Sequence, residues 1–386
     1  MGKNINNIVL SGFELKDNNR GSAALGYGSI AFLKEKGYYS CSDKLCILDR
    51  INKRFWRSRY KRIEHVKVAG AEYPVYMIRY LPIEWKLYVK YKLYFPFTPF
   101  GKLIRNLQLV AATNGGDGLS DIYGYPIFMG RLRETQIAMV KGVNLVIMPQ
   151  TIGPFHDLKM RKIADTVLEY ASHIYVRDDR FVDELKSMKL KPIQERDLSA
   201  WMLPEPWEIE IIPNSIGINI SGLTYFNSYR TLSGQFTNYP TLIRRIVDYF
   251  QSLGRAVYLI PHSYNYENPE PANDDLAAIK DFYNSCENKS GITIIDKDLT
   301  SPQIKYVISK MSFFIGTRMH ANFAAIYTHV PVFGLAYSYK FAGAFEANGL
   351  SENQVAMITS INSEEIESII ERIKSFFCAS VKQHNC

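Results

Sequence analysis

Cysteine is sparse and unpatterned in this chain of 386 residues: Cys41, Cys46, Cys286, Cys378 and Cys386 are an odd number with no CxxC pair and no histidine-rich spacing. That excludes a disulfide-stapled secreted module or a zinc ribbon and leads to the expectation of reduced thiols in a cytoplasmic protein. Long apolar runs are missing as well. No segment supplies the roughly 20 apolar residues of a spanning helix. The opening MGKNINNIVLSGF has too short an apolar run for a signal-peptide core, and Asn6 stands where a myristoylation signal would want Ser or Thr. No cluster with metal-ligand spacing is present, so neither a metal nor a cofactor is expected. Acid is in short supply: Lys plus Arg number 46 against 38 Asp plus Glu, a net charge of +8 that favours anionic partners. No RNP or KH motif accompanies this charge, so nucleic acid is not the expected partner.

What is present reads as α/β. With 47% hydrophobic and 22% charged residues the chain is that of a folded protein, and its length calls for two domains. Apolar strand, Gly- or Asn-rich turn and helix recur at NNIVLSGF (6–13) with GSAALGYGSIAFLKEKG (21–37), LQLVAATNGGD (107–117), VNLVIMPQTIGPF (143–155) and HIYVRDD (173–179). After the Pro-rich LPEPWEIEIIPNS (203–215) a second series follows, with strands in SIGINIS, RAVYLIPH, GITIID, SFFIGT and VPVFGL. The expectation is two tandem Rossmann-like domains with parallel sheets, over residues 1–205 and 206–360, and a terminal helix and tail over 361–386. Residues 50–107 break the pattern: from Arg50 to Lys67 there are eight Lys or Arg against one acid, Glu64, followed by the aromatic EWKLYVKYKLYFPFTPFGKLIRNL. Two readings stand: a solvated helix face plus a loop, or a surface that lies on anionic lipid headgroups.

Ligands of open α/β sheets bind outside the carboxyl ends of the strands, so the candidate site residues are those that follow each strand. Asn19, Arg20, Gly21 and Ser22 open the first helix, where unpaired backbone N–H groups can receive an anion. The stretch TNGGDGLSDIYG carries Asn114, Gly115, Gly116, Asp117 and Asp121, and its paired glycines allow close backbone approach. It is neither a Walker loop nor a full GxGxxG fingerprint. Gln150 ends one strand and Arg177 the next; His262 follows another. In GTRMHANFAAIYTHVPVFGLAYSYK, Thr317, Arg318, Met319 and His320 follow a strand, and Arg318 and His320 are expected in the first turn of the ensuing helix. Cations there oppose the helix dipole, which makes sense if a bound anion is part of the working state. Lys340 follows the next strand, so that Arg318, His320 and Lys340 would converge on one pocket.

GTRMHANFAAIYTHVPVFGLAYSYKFAGAFEANGL resembles the C-terminal signature of the polysaccharide pyruvyl transferase family: R-[LM]-H-A, then Val-Pro, a Tyr-rich segment, Lys and a later Gly-Leu. The likeness extends through NRGSAAL, GGDGLSDIYG, QTIGPF, VRDDRFVDEL and the pair His262 and Asp274, but not through 38–106. One departure is His329, where the family usually has Gly; a small backbone effect is expected. The resemblance implies a two-Rossmann architecture similar to GT-B glycosyltransferases, with the N-terminal domain on the acceptor side and the C-terminal domain on the donor side. It further implies phosphoenolpyruvate as donor co-substrate and a pyruvate ketal on a sugar of a surface polysaccharide, such as exopolysaccharide or capsule. Arg318, His320, Lys340 and Arg177 are the catalytic residues it implies. Asp117 and Asp121 remain candidates for the base that activates the sugar.

Assembly on a lipid-linked oligosaccharide acceptor would place the protein in the cytoplasm, peripheral at the inner face of the plasma membrane. A nucleotide-sugar-dependent GT-B glycosyltransferase is the rival, with Lys340 and Glu346 in the turn that would meet the nucleotide. A non-enzymatic lipid- or nucleic-acid-binding protein would leave Arg318, His320 and Lys340 unexplained.

Overall fold

Ile8, Val9 and Leu10 are apolar without alternation, as befits a strand covered on both faces, and they form the centre of β1 (Asn7–Ser11), all of it buried. The computed structural model describes residues 6–51, 62–68, 70–337, 344, 345 and 347–384. Within them the chain divides into two units, one of 1–15 and 25–202, the other of 16–24 and 203–386.

In the first unit β1 is joined by β2 (Lys44–Arg50), β3 (Arg62–Val68), β4 (Ala71–Tyr80), β5 (Leu107–Ala112), β6 (Asn144–Gln150), β7 (His173–Val176) and β8 (Pro192–Gln194). Their order is β3-β4-β2-β1-β5-β6-β7-β8. Every pair is parallel except the hairpin of β3 and β4. Neither reading of 50–107 anticipates that hairpin, because the basic residues hide a period of two: in β3 Val66 and Val68 are buried while Lys67 is exposed. Helices Pro82–Tyr91 and Pro99–Arg105 follow, and they sort the aromatics: Tyr80, Tyr88 and Phe100 enter the core, the Tyr80 and Phe100 rings stacking at 5.4 Å. Most of the basic run, 52–61, lies outside the described residues.

The second unit has β9 (Ile216–Asn219), β10 (Val257–Leu259), β11 (Ile292–Ile294), β12 (Phe313–Gly316), β13 (Val332–Ala336) and β14 (Val355–Met357). All are parallel, in the order β11-β10-β9-β12-β13-β14. That is the doubly wound order 3-2-1-4-5-6, which reverses between β9 and β12. Helix Tyr239–Ser252 covers one face through Tyr239, Leu242, Ile243, Ile246, Val247 and Phe250, spaced one helical stripe apart. The terminal helix Ser363–His384 packs into the same core through Ile366, Ile369, Ile370, Ile373 and Phe377, so residues 361–384 belong to this unit rather than standing apart. Residues 16–24 also differ from the expected division. They join the second unit because Arg20 is anchored there: Nη2 donates to Asp298 at 2.7 Å, Nε to the Leu299 carbonyl at 2.7 Å, and the guanidinium lies 4.4 Å from the Tyr264 ring centroid.

Candidate functional site

The reversal point of the second sheet is organised by a buried carboxylate that reading the sequence did not single out. Asp275, in the first turn of helix Asp275–Asn284, accepts from the backbone N–H groups of Gly222 (2.9 Å), His262 (3.1 Å) and Ser263 (2.9 Å). It also accepts from Asn219 Nδ2 at 3.2 Å and from Arg318 Nε and Nη2 at 3.0 and 2.8 Å. Asn219, the last residue of β9, in turn accepts the Arg318 backbone N–H at 2.9 Å. Arg318 is therefore the cap residue of helix Met319–Ile326 rather than part of its first turn, and its guanidinium is engaged by Asp275 and by the carbonyl and side chain of Asn273. This changes the electrostatic reading: the carboxylate that answers the cation at the helix start is internal. The pair is worth keeping in a buried place because each partner has further hydrogen bonds, without which desolvation would outweigh the attraction. The neighbouring Asp274 has a different task, capping the helix by accepting from Ala277 N–H at 2.9 Å. In NDD the two carboxylates look alike, and only the sheet geometry tells them apart.

His320 is the second residue of the same helix, within its first turn, its ring edge-on to Phe323 at 5.5 Å. It packs on Gly21: a Cβ built there would lie 2.5 Å from Nδ1 and 2.9 Å from Cβ of His320. Asn19 positions that glycine by accepting its N–H at 3.0 Å, and Arg20 N–H donates to the His262 carbonyl at 3.0 Å. Ser22 helps to hold Asp17, whose carboxyl is pushed up by burial and drawn down by the Asn19 N–H, Ser22 and Arg20. His262 is buried, and its pKa is pressed well below the ordinary 6.5, first by burial and then by the positive charge of His320, Arg318 and Arg20. The Tyr337 phenol is raised by burial while Arg318 pulls it down, so it too belongs to this cluster.

Four of the sequence-derived candidates thus meet here: Gly21, His262, Arg318 and His320. Three others take structural places. Arg20 has its guanidinium spent on Asp17, Asp298 and Leu299. Thr317 is fully buried with its hydroxyl 2.7 Å from that of Tyr239, and Met319 is packed against the apolar cluster of this unit. Lys340 and Glu346 lie outside the described residues.

The first unit has its own reversal point, between β1 and β5. Three successive residues, Asn114, Gly115 and Gly116, take left-handed backbone angles (φ 49°, 77° and 86°), so the turn after β5 needs glycine for its shape. Asn114 donates to the Arg131 carbonyl at 2.8 Å, and buried Gln150 donates to Asn114 Oδ1 at 3.2 Å and to the Ala112 carbonyl at 3.0 Å. Arg177 is paired at 2.6 Å with fully buried Asp197 and donates to Thr151 at 3.0 Å; burial would lower its pKa, but Asp197 first, then Asp117 and Asp178, raise it. Asp117 accepts from Tyr123 at 2.7 Å and pairs with Arg131 at 3.4 Å. Asp121 accepts the His156 and Asp157 N–H groups, which ties down the turn after QTIGPF. Among the described residues, no group of three or more His, Cys, Asp or Glu is placed to hold a metal ion, and no helix is long and apolar enough to cross a membrane.

Two Rossmann-like units, the second with arginine and histidine gathered at its reversal point, define an α/β protein of the GT-B type of fold. The structure is similar to that of UDP-GlcNAc 2-epimerase from Neisseria meningitidis bound to UDP-GlcNAc, at 10% identity and TM-score 0.54, over 97% of this chain and 94% of that one. It is also similar to a protein of Listeria monocytogenes assigned as a UDP-N-acetylglucosamine 2-epimerase, at 10% identity and TM-score 0.53, over 97% and 89%. Such identities establish the fold alone. The family described as polysaccharide pyruvyl transferase matches residues 19–339, and the chain belongs to that family. It is accordingly a transferase of polysaccharide pyruvylation.

Proposed function

We propose that the protein transfers pyruvate from phosphoenolpyruvate to two hydroxyls of one sugar in a lipid-linked polysaccharide precursor, forming a cyclic ketal and releasing phosphate. The observation that carries this reading is the gathering of Arg318, His320 and Arg20 around buried His262, whose imidazole is held neutral first by burial and then by those positive charges; such a cluster of cations marks a place built to accept negative charge. Phosphoenolpyruvate brings a phosphate and a carboxylate, and arginine pairs with either in two-pronged fashion. His320 protonates the methylene carbon, turning CH2 into CH3 and leaving C2 electrophilic. One sugar hydroxyl adds to C2 and gives up its proton; phosphate then leaves with the C2–O bonding pair, and the second hydroxyl closes the ring as its O–H bond breaks and the proton passes to the departing phosphate. Arg318, held rigid by Asp275, and Lys340 bind the donor, while Asp117 or Asp121 of the first unit serves the acceptor. No metal or cofactor enters this scheme, and the place of work is the cytoplasmic face of the plasma membrane.

Calorimetric titration with phosphoenolpyruvate, and with UDP-sugars as comparison donors, tests it. The expected result is phosphoenolpyruvate binding that is lost in Arg318→Ala; UDP-sugar binding without a phosphoenolpyruvate response would return the protein to the nucleotide-sugar glycosyltransferase class.

A further inference from the structure

The first unit carries a second feature that pyruvyl transfer does not use. Helix Pro82–Tyr91 stops at Lys92, which takes a left-handed φ of 55° and donates its N–H to the Tyr88 carbonyl at 2.8 Å. The chain then runs through Leu93-Tyr94-Phe95-Pro96-Phe97, and all seven residues from Tyr91 to Phe97 are exposed. Exposure is 56% for Tyr91, 61% for Leu93, 46% for Phe95 and 74% for Phe97, with Ile83 of the helix at 53%.

This loop is built, not frayed. Thr98 donates its N–H (3.1 Å) and its hydroxyl (3.0 Å) to the Phe95 carbonyl, and accepts Gly101 N–H at 3.0 Å as cap of the next helix. A Cβ at Gly101 would collide with that same Phe95 carbonyl, so the glycine lets the turn sit down on the helix start. Tyr94 leans back on buried Tyr88, ring centroids 6.1 Å apart. The fold thus fixes the backbone while turning Leu93, Phe95 and Phe97 outward, and a contiguous apolar patch on a fixed scaffold marks an interaction surface. Charge decides its partner. Between Pro82 and Arg105 the exposed ionic residues are Lys86, Lys90, Lys92, Lys102 and Arg105; Glu84, the one acid, is buried with its carboxylate on the Leu81 N–H at 2.8 Å.

We propose that Tyr91–Phe97 is an insertion loop that seats the first unit on a bilayer bearing anionic headgroups. Leu93, Phe95 and Phe97 enter the boundary between headgroups and acyl chains, Tyr91 stays at headgroup level, and Lys86, Lys90 and Lys92 reach the lipid phosphates. The inference rests on the first unit alone and stands whether or not phosphoenolpyruvate is the donor.

The test is co-sedimentation of the full-length protein with vesicles of phosphatidylcholine alone or mixed with phosphatidylglycerol, together with sedimentation velocity without vesicles. The expected result is partition onto the mixed vesicles that weakens as salt is raised. L93S/F95S/F97S and K86E/K90E/K92E should each lower that partition at least ~10-fold, because each removes one of the two attractions the surface combines. Thermal melts of both variants should match wild type, since the altered side chains are exposed. Equal partition of wild type and the triple serine variant would overturn the proposal, as would no wild-type binding to mixed vesicles at low salt. A wild-type dimer that the serine variant dissociates, without vesicle binding by either, would assign the loop to self-association instead and overturn it equally.

Discussion

Replacing Gly21 by Ala isolates the contact between the start of the first helix and His320. Gly21 has no left-handed backbone, so alanine meets no conformational obstacle, and in a helix it is favoured over glycine by about 1 kcal/mol. Without a neighbour the substitution would stabilise. Here the new methyl would stand 2.5 Å from Nδ1, 2.8 Å from Cγ and 2.9 Å from Cβ of His320. Because the Cβ is among the atoms struck, rotating the ring does not relieve the clash, and Phe323 stands behind it at 5.5 Å. Overpacking of this kind costs about 1–3 kcal/mol, enough to cancel or exceed the helical gain. In the reaction proposed above His320 is the proton donor, so displacing it by a fraction of an ångström to 1 Å should lower kcat by about 10²-fold with a smaller change in KM. Phosphate release under saturating donor and acceptor reads kcat, and a thermal melt reads the packing cost. A Gly21→Ala protein with wild-type kcat and a raised Tm would refute both the packing and the placement of His320 at the reacting centre.

Asp275→Asn removes the charge that answers Arg318 and sets an amide N–H against backbone donors; a loss of about 3–5 kcal/mol is expected in urea unfolding, and less than 1 kcal/mol would contradict the central role given to this carboxylate. His262 gives a pH signature. Its folded pKa lies below the unfolded 6.5, so the unfolded chain binds the extra proton: its contribution is fully present above about pH 6.5 and is lost as pH falls toward the folded value, by at most ~1.4 kcal/mol per pH unit. His262→Gln should flatten that slope, and in the wild type phosphoenolpyruvate should raise the His262 pKa seen by NMR; an unmoved pKa would deny that the anion binds beside it. His329 occupies a left-handed position (φ 60°) after helix Met319–Ile326, which explains why glycine suits that place in the family signature. His329→Gly should leave Tm unchanged or raise it by the equivalent of up to ~1 kcal/mol, and a clear loss would show a side-chain role that the backbone does not reveal.

The two Rossmann-like units and most strand positions were legible in the chain because buried parallel strands must be continuously apolar and must end in turns with special backbone angles. Gly21, His262, Arg318 and His320 could be named for the same reason: ligands bind where strands end, and the residues after each strand can be read in order. The hairpin of β3 and β4 was hidden, since lysines and arginines on its exposed face drown the period of two that only partner strands make visible. Likewise the sequence pointed to Asp274 beside His262 where the strand packing gives the central place to Asp275, and it could not tell that Arg20 and Thr317 would be absorbed by structure while Gly21 and His320 met. Local composition determines which segments become strands and helices and what charge they carry. Which carboxylate faces which cation depends on strand order, and that is decided only when distant strands pack to bury their apolar faces together.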